Sequence, residues 1–183
     1  MALLESVKIP LGTVMPDFEL KDPSGTSFKG GGLYGERGLL VVFTCNHCPY
    51  ALAVWPRVAR LAKYGRGMRV NTVAINPNIN PDFPDDAPDK MLVKIKELGL
   101  DFPYLADEAQ AVAEVFRAQC TPDIYLFNKD KKLVYHGRID DNWKDEDAVT
   151  REELKEAMNN MAAGRPVDPK QNPSMGCSIK WRS

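Results

Sequence analysis

Histidine and cysteine are both scarce in these 183 residues, with two of the former and four of the latter. Four thiols are far too few for a secreted scaffold stapled by disulfides. No apolar run approaches the roughly 20 residues that a membrane-spanning helix needs. The opening MALLESVKIPLGT meets Glu5 and Lys8 too early to contain the apolar centre of a signal peptide. An excess of positive charge is missing as well. The formal net charge is −1, which leaves no field to attract nucleic acid or an anionic membrane surface. Together these absences predict a cytoplasmic protein with neither a nucleic-acid nor a membrane partner, in a compartment that keeps thiols reduced. The composition, 44% hydrophobic and 27% charged, suits a soluble globular chain, so a close cysteine pair calls for chemistry rather than stapling. The length suits one domain over 1–183, with a core of about 12–163 and a tail of 164–183.

The pattern of elements is α/β. MPDFELKDPSGTSFKG reads as two short strands around a Pro-Ser-Gly turn, an N-terminal hairpin. LLVVFT, residues 39–44, is a continuous β-branched run, as in a strand covered on both faces. Leu52, Val54, Trp55, Val58, Leu61 and Ala62 then recur at helical spacing from about Pro49 to Tyr64, with a kink or break expected at Pro56. MRVNTVAIN is the next strand, and the four prolines of PNINPDFPDDAPD mark a long loop. Its Asn78, Asp82, Phe83, Asp85 and Asp86 read as a solvated connection that can also screen substrates. A helix over about 89–99 is stopped by Gly99, FPYLAD is a short strand, and EAQAVAEVFRA a helix. DIYLFNKDKKLVYHGRI gives two strands around the turn NKDK. Thr150 with Glu153 forms a capping box that opens a helix to about Ala163. The proline-studded remainder reads as an extended tail packed on the surface. Helices around a mixed central sheet account for this order.

The stretch LLVVFTCNHCPYA runs a strand straight into two cysteines held two residues apart. The two thiols can be a redox couple, half of a metal site, or two small buried side chains. Cys45 falls where the strand ends and Cys48 at the first helical turn, where unpaired N–H groups and the positive end of the helix dipole stabilise a thiolate. The expectation is an exposed, acidic Cys45. Lowering a thiol pKa from about 8.5 to about 7 lifts its thiolate fraction at neutral pH from about 3% to about 50%. Cys48 can then resolve a mixed disulfide by internal attack. His47 can add positive charge beside the thiolate, or be only an exposed turn residue.

CNHC after an apolar strand, together with TPD before IYLF and the β/α order, resembles the thioredoxin-like superfamily. More narrowly, the chain is similar to redoxins of the alkyl hydroperoxide reductase and thiol-specific antioxidant branch. FTCNHCPYA and GCSIKW resemble a thioredoxin-family group within that branch, and the similarity runs from about Gly12 to Trp181. It implies a thioredoxin-like fold and thiol–disulfide oxidoreductase activity through Cys45 and Cys48. It also implies a cis peptide before Pro122, with Thr121 and Pro122 presenting a backbone edge to an extended substrate. No cofactor is implied. Implied partners are a protein or small-molecule disulfide substrate and a thiol reductant of the thioredoxin or glutathione kind. The chain departs from thioredoxins where their buried aspartate stands: Val42 occupies that position, and Asp123 is the candidate replacement for proton transfer.

Cys120, just before Thr121, is a third redox thiol or a small space-filling residue. Cys177 in the tail can join the site only if the tail folds back over it. A zinc site is disfavoured because Cys120 and Cys177 stand alone, whereas structural zinc uses two close ligand pairs; no metal is expected. Peroxiredoxins resemble the fold and carry Pro-X-X-X-Thr-X-X-Cys, which places their peroxidatic cysteine at Cys48. Here Val41 and Cys45 replace the proline and threonine, and Arg117 or Arg138 would have to supply the activating arginine. A thiol peroxidase is therefore one alternative, and a non-catalytic binding module using the 77–89 loop is another.

Overall fold

A computed structural model describes residues 3–182; Met1, Ala2 and Ser183, the ends of the expected 1–183 domain, lie outside the described residues. Two sheets share the chain at a single corner. The larger has seven strands: β2 (Glu19–Lys21), β3 (Ser27–Lys29), β4 (Gly38–Phe43), β5 (Val70–Asn76), β6 (Tyr104–Ala106), β8 (Asp123–Asn128) and β9 (Leu133–His136). Their spatial order is β3-β2-β6-β5-β4-β8-β9. β4 pairs in parallel with β5 and antiparallel with β8, so the sheet is mixed. The smaller sheet joins β1 (Leu3–Glu5), β10 (Met175–Ser178) and β7 (Cys120–Thr121). Pro122 is the corner residue between β7 and β8.

β4 is buried along its full length, and its alternation divides the core. Leu39, Val41 and Phe43 face a layer that holds Met15, Phe18, Val112 and Phe116. Leu40 and Val42 face Val54, Trp55, Val58, Leu154 and Met158. The first layer comes from the hairpin region and α3 (Ala111–Phe116), the second from α1 (Pro49–Gly67) and α4 (Glu153–Ala162). α2 (Pro88–Leu98) ends at Gly99, whose left-handed φ of 57° is easy for a residue without a Cβ. The continuous apolar run thus became the central strand because it is covered on both sides.

Several expectations change. α1 continues through Pro56 as one helix rather than breaking there. α3 is shorter than its sequence pattern, held between Gln110 and Arg117, both at positive φ. The capping box does not form. α4 begins after Glu152 without a side-chain cap, because Thr150 is spent on Asp141, which accepts from its backbone N–H at 2.9 Å and from its hydroxyl. The tail lies on the surface only over 164–173. Through β10 it pairs on both edges, and Gly176, Cys177 and Ile179 are buried.

Candidate redox site

Cys45 follows the C-terminal end of β4, and Cys48 is the residue before the first turn of α1. The end of a central strand and the start of the helix that packs on it fix this placement. Trp55, nearly two turns into α1, pins the strand end by donating its Nε1–H to the Cys45 carbonyl at 3.1 Å. Across the gap stands the Thr121–Pro122 corner, whose peptide is cis. Cys45 Sγ lies 3.2 Å from Thr121 Oγ1, and Cys48 Sγ lies 3.2 Å from the Thr121 carbonyl oxygen. Cys45, Cys48, Thr121 and Pro122 therefore do come together.

The exposed thiol expected at the helix mouth is absent. Cys45 and Cys48 are both fully buried, packed with Ala51 and with Cys177 from β10. The tail is the cause. β10 lies antiparallel on β7 with Cys177 opposite Thr121, and Gly176 permits the approach, since a Cβ there would meet the Thr121 carbonyl at 2.0 Å. Beyond β10 the strap continues. Lys180 N–H donates to Asn78 Oδ1 at 2.8 Å, and Arg182 N–H donates to Gln110 Oε1 at 2.7 Å.

The surroundings favour a thiolate at the other sulfur from the one expected. Burial, the neighbouring Cys48 sulfur and the negative charge of Asp86 push the Cys45 thiol well above its ordinary value. Hydrogen bonding from the Cys45 thiol outweighs burial at Cys48, and the Cys177 thiol and the Ala51 N–H add to it, drawing Cys48 down to about 5. The Thr121 carbonyl opposes that charge, since it accepts an S–H only when Cys48 is protonated. The helix start adds only the Ala51 N–H to this support, and it does so at the residue that directly precedes the helix rather than at Cys45.

His47 does not lend a free positive charge. Its Nδ1 is bonded to Asp86 and its ring stacks on Phe83 at 4.8 Å. Asp86 is fully buried and also accepts the Asn46 N–H at 2.6 Å and the Asn76 side-chain amide at 3.1 Å. Sequence reading missed it as a site residue, having placed it in a solvated loop. The one available signal was a loop acid within reach of the only histidine beside the cysteines. Cys45 Sγ, a His47 ring nitrogen and an Asp86 oxygen lie within 4.8 Å of one another, three ligand types that suit a soft divalent metal.

Asp123 is buried but turned to other work. It accepts from His136 Nε2 at 2.9 Å, from the Tyr125 hydroxyl at 3.2 Å and from the Gln119 N–H at 3.3 Å, and makes no hydrogen bond to Cys45 or Cys48. Cys120 is buried, with Sγ 3.5 Å from the Pro122 carbonyl, and burial raises its pKa. Arg138 is engaged by Glu153 at 2.6 Å, and neither it nor Arg117 hydrogen-bonds a sulfur. On the far side of Pro122 a cavity of about 270 Å³ is lined by Val54, Ile124, Arg138, Ile139 and Trp143.

Comparison with known proteins fits this geometry. No curated protein matches the sequence. An uncharacterized conserved protein from Geobacillus kaustophilus is 40% identical, with a TM-score of 0.94 over 100% of this chain and 97% of that one. A hypothetical protein from Sinorhizobium meliloti 1021 is 36% identical, with a TM-score of 0.92 over 98% of each chain. A putative thiol:disulfide interchange protein DsbE from Chlorobium tepidum shares the fold at 15% identity, with a TM-score of 0.63 over 86% of this chain and 98% of that one. The AhpC/TSA family model matches residues 11–136. A two-cysteine strand-to-helix junction facing a cis-proline corner, on a mixed sheet that this family model spans, places the chain in the AhpC/TSA family of thioredoxin-like redoxins.

Proposed function

We propose that this protein is a thiol–disulfide oxidoreductase in which Cys45 and Cys48 pass between dithiol and disulfide through a mixed disulfide with substrate. The observation that carries the reading is the seating of both sulfurs 3.2 Å from Thr121 at the start of α1. The Cys48 thiolate attacks one sulfur of an incoming disulfide, and the other substrate sulfur leaves as a thiolate. Cys45 then loses its proton, attacks Cys48 Sγ and expels the bound substrate sulfur, closing the internal disulfide. This order, with Cys48 attacking first, reverses the one read from the sequence and follows from where the charge rests. The Thr121–Pro122 edge holds an extended substrate backbone once β10 leaves it. Electrons return to the pair from a protein thiol or glutathione.

Variants with serine at both Cys45 and Cys177 test the reading. Treated with oxidised glutathione, this double variant is expected to hold glutathione on Cys48 by mass spectrometry. Failure of both Cys48 here and Cys45 in Cys48→Ser protein to take up glutathione removes the proposal. Trapping only in Cys48→Ser protein reverses the order of attack.

The acidic Cys48 also favours a second reading, a thiol peroxidase. Here the thiolate attacks a peroxide oxygen, an alcohol or water leaves, and Cys45 closes a disulfide on the resulting sulfenic acid with loss of water. Peroxide consumption by the reduced chain, lost in Cys48→Ser, would favour it. The engagement of Arg138 by Glu153 weighs against it.

A further inference from the structure

β10 occupies the backbone edge that a substrate would use. In register with Thr121 it places a cysteine, Cys177, against Cys48 and Cys45. A strand on that edge carrying a sulfur at that position has the form of a bound disulfide substrate, supplied by the chain itself. Gly176 gives the seating its closeness, because any side chain there collides with the Thr121 carbonyl and with Pro122 N. The pairing of β10 with β1 on its other edge, and the bonds from Lys180 and Arg182, hold the strand in register. Cys177 is thus a buried thiol with a specific neighbour.

We propose that Cys177 is a third redox-active cysteine, which exchanges with Cys48 to form a Cys48–Cys177 disulfide. The inference rests on the thiol–disulfide reading of Cys45 and Cys48. Starting from the oxidised pair, the Cys177 sulfur attacks Cys48 Sγ and the Cys45–Cys48 bond breaks. The bond electrons leave on Cys45 Sγ, which takes up the proton that Cys177 gives up. No net oxidation occurs; the disulfide moves from one neighbour of Cys48 to the other. The same attack on a mixed disulfide expels the substrate thiol instead. Cys48 is then the hub, with one resolving thiol on the strand-to-helix loop and a second on the tail.

The test uses the full chain in three variants treated with oxidised glutathione and mapped by mass spectrometry. C45S/C177S is expected to keep glutathione on Cys48. C45S is expected to release it at least about tenfold faster, leaving Cys48 joined to Cys177. C45S/G176V retains both thiols but cannot seat β10, and is expected to hold the adduct as the double serine variant does. Adduct that persists in C45S, or a bridge from Cys48 to Cys120, overturns the proposal. If neither C45S/C177S nor Cys48→Ser protein takes up glutathione, the oxidoreductase reading fails separately. Oxidation of C45S by diamide then decides, where a Cys48–Cys177 bridge upholds the third cysteine and its absence removes it.

Discussion

Two buried carboxylate–imidazole pairs flank the thiols, and they do different things. Asp86 holds His47 on the side of the long loop; Asp123 holds His136 at the base of β8 and β9. Both aspartates are fully buried. Asp86 receives its bonds from His47, Asn46 and Asn76, at the junction that carries Cys45, and its charge raises that thiol. Asp123 receives its bonds from His136, Tyr125 and Gln119, and its charge, after burial, raises Cys120 instead. Each acid therefore tunes its own cysteine. His47 keeps a buried Nε2 without a hydrogen-bond partner among the described residues, whereas the His136 ring stacks on Tyr125 at 4.2 Å. One pair is built into the Cys45–Cys48 junction; the other is a knot that fixes the two antiparallel strands leaving the cis corner.

The largest test removes either acid. Asp86→Ala or Asp123→Ala each leaves buried donors facing an empty site and is expected to cost about 3–5 kcal/mol in denaturant unfolding. A loss well under 1 kcal/mol at either position would mean that its pair is not holding the fold. Charge removal with the shape kept sharpens the contrast. Asp86→Asn should lower the pKa of Cys45 and leave Cys120 alone, while Asp123→Asn should do the reverse, read as pH profiles of alkylation at each cysteine. If either variant moves both thiols equally, the pairs do not act separately.

The Cys48 proton supplies a pH test. Its folded value of about 5 lies below the ordinary value of 9.0, so between these the unfolded chain binds a proton that the folded chain does not. Stability from this source is full above about 9 and is lost as pH falls through about 5. Reduced protein should gain stability from pH 5 to pH 8 more steeply than Cys48→Ala. Cys45→Ala, lacking the thiol that supports the charge, should show its Cys48 thiolate absorbance appearing at higher pH. A Cys48 titration that does not move would place the support elsewhere. The smallest effect is expected from Trp55→Phe, which removes the hydrogen bond to the Cys45 carbonyl and should cost about 1 kcal/mol without altering either aspartate pair.

Sequence reading reached one member of each pair, His47 and Asp123, and passed over Asp86 and His136. The reason is physical. The residues joined in each pair are 39 and 13 positions apart, and no periodicity links a loop acid to a turn imidazole. LLVVFT was legible because a continuous apolar run must be buried on both faces whatever surrounds it, and MRVNTVAIN was legible as a strand although Asn71 stays exposed. The Cys45–Cys48 junction was legible because it needs only the strand-to-helix order. β1, β7 and β10 were not. Each is four residues or shorter, and they pair over long stretches of chain, β1 with β10 across nearly all of it and β7 with β10 from Thr121 to Cys177, leaving no local alternation to read. The seal over the sulfurs depends on those three strands, so the site was read as open. Thr150 failed as a helix cap for a similar reason, because a distant aspartate competed for it.

The zipper of β1 on β10 ties the first strand to the last directly above the sulfurs. Displacing β1 frees one edge of β10, and breaking the Lys180 and Arg182 bonds frees its end, so both lead toward the pairing of Cys177 with Thr121. β1 and β10 thereby act as a drawstring on the cysteine cluster.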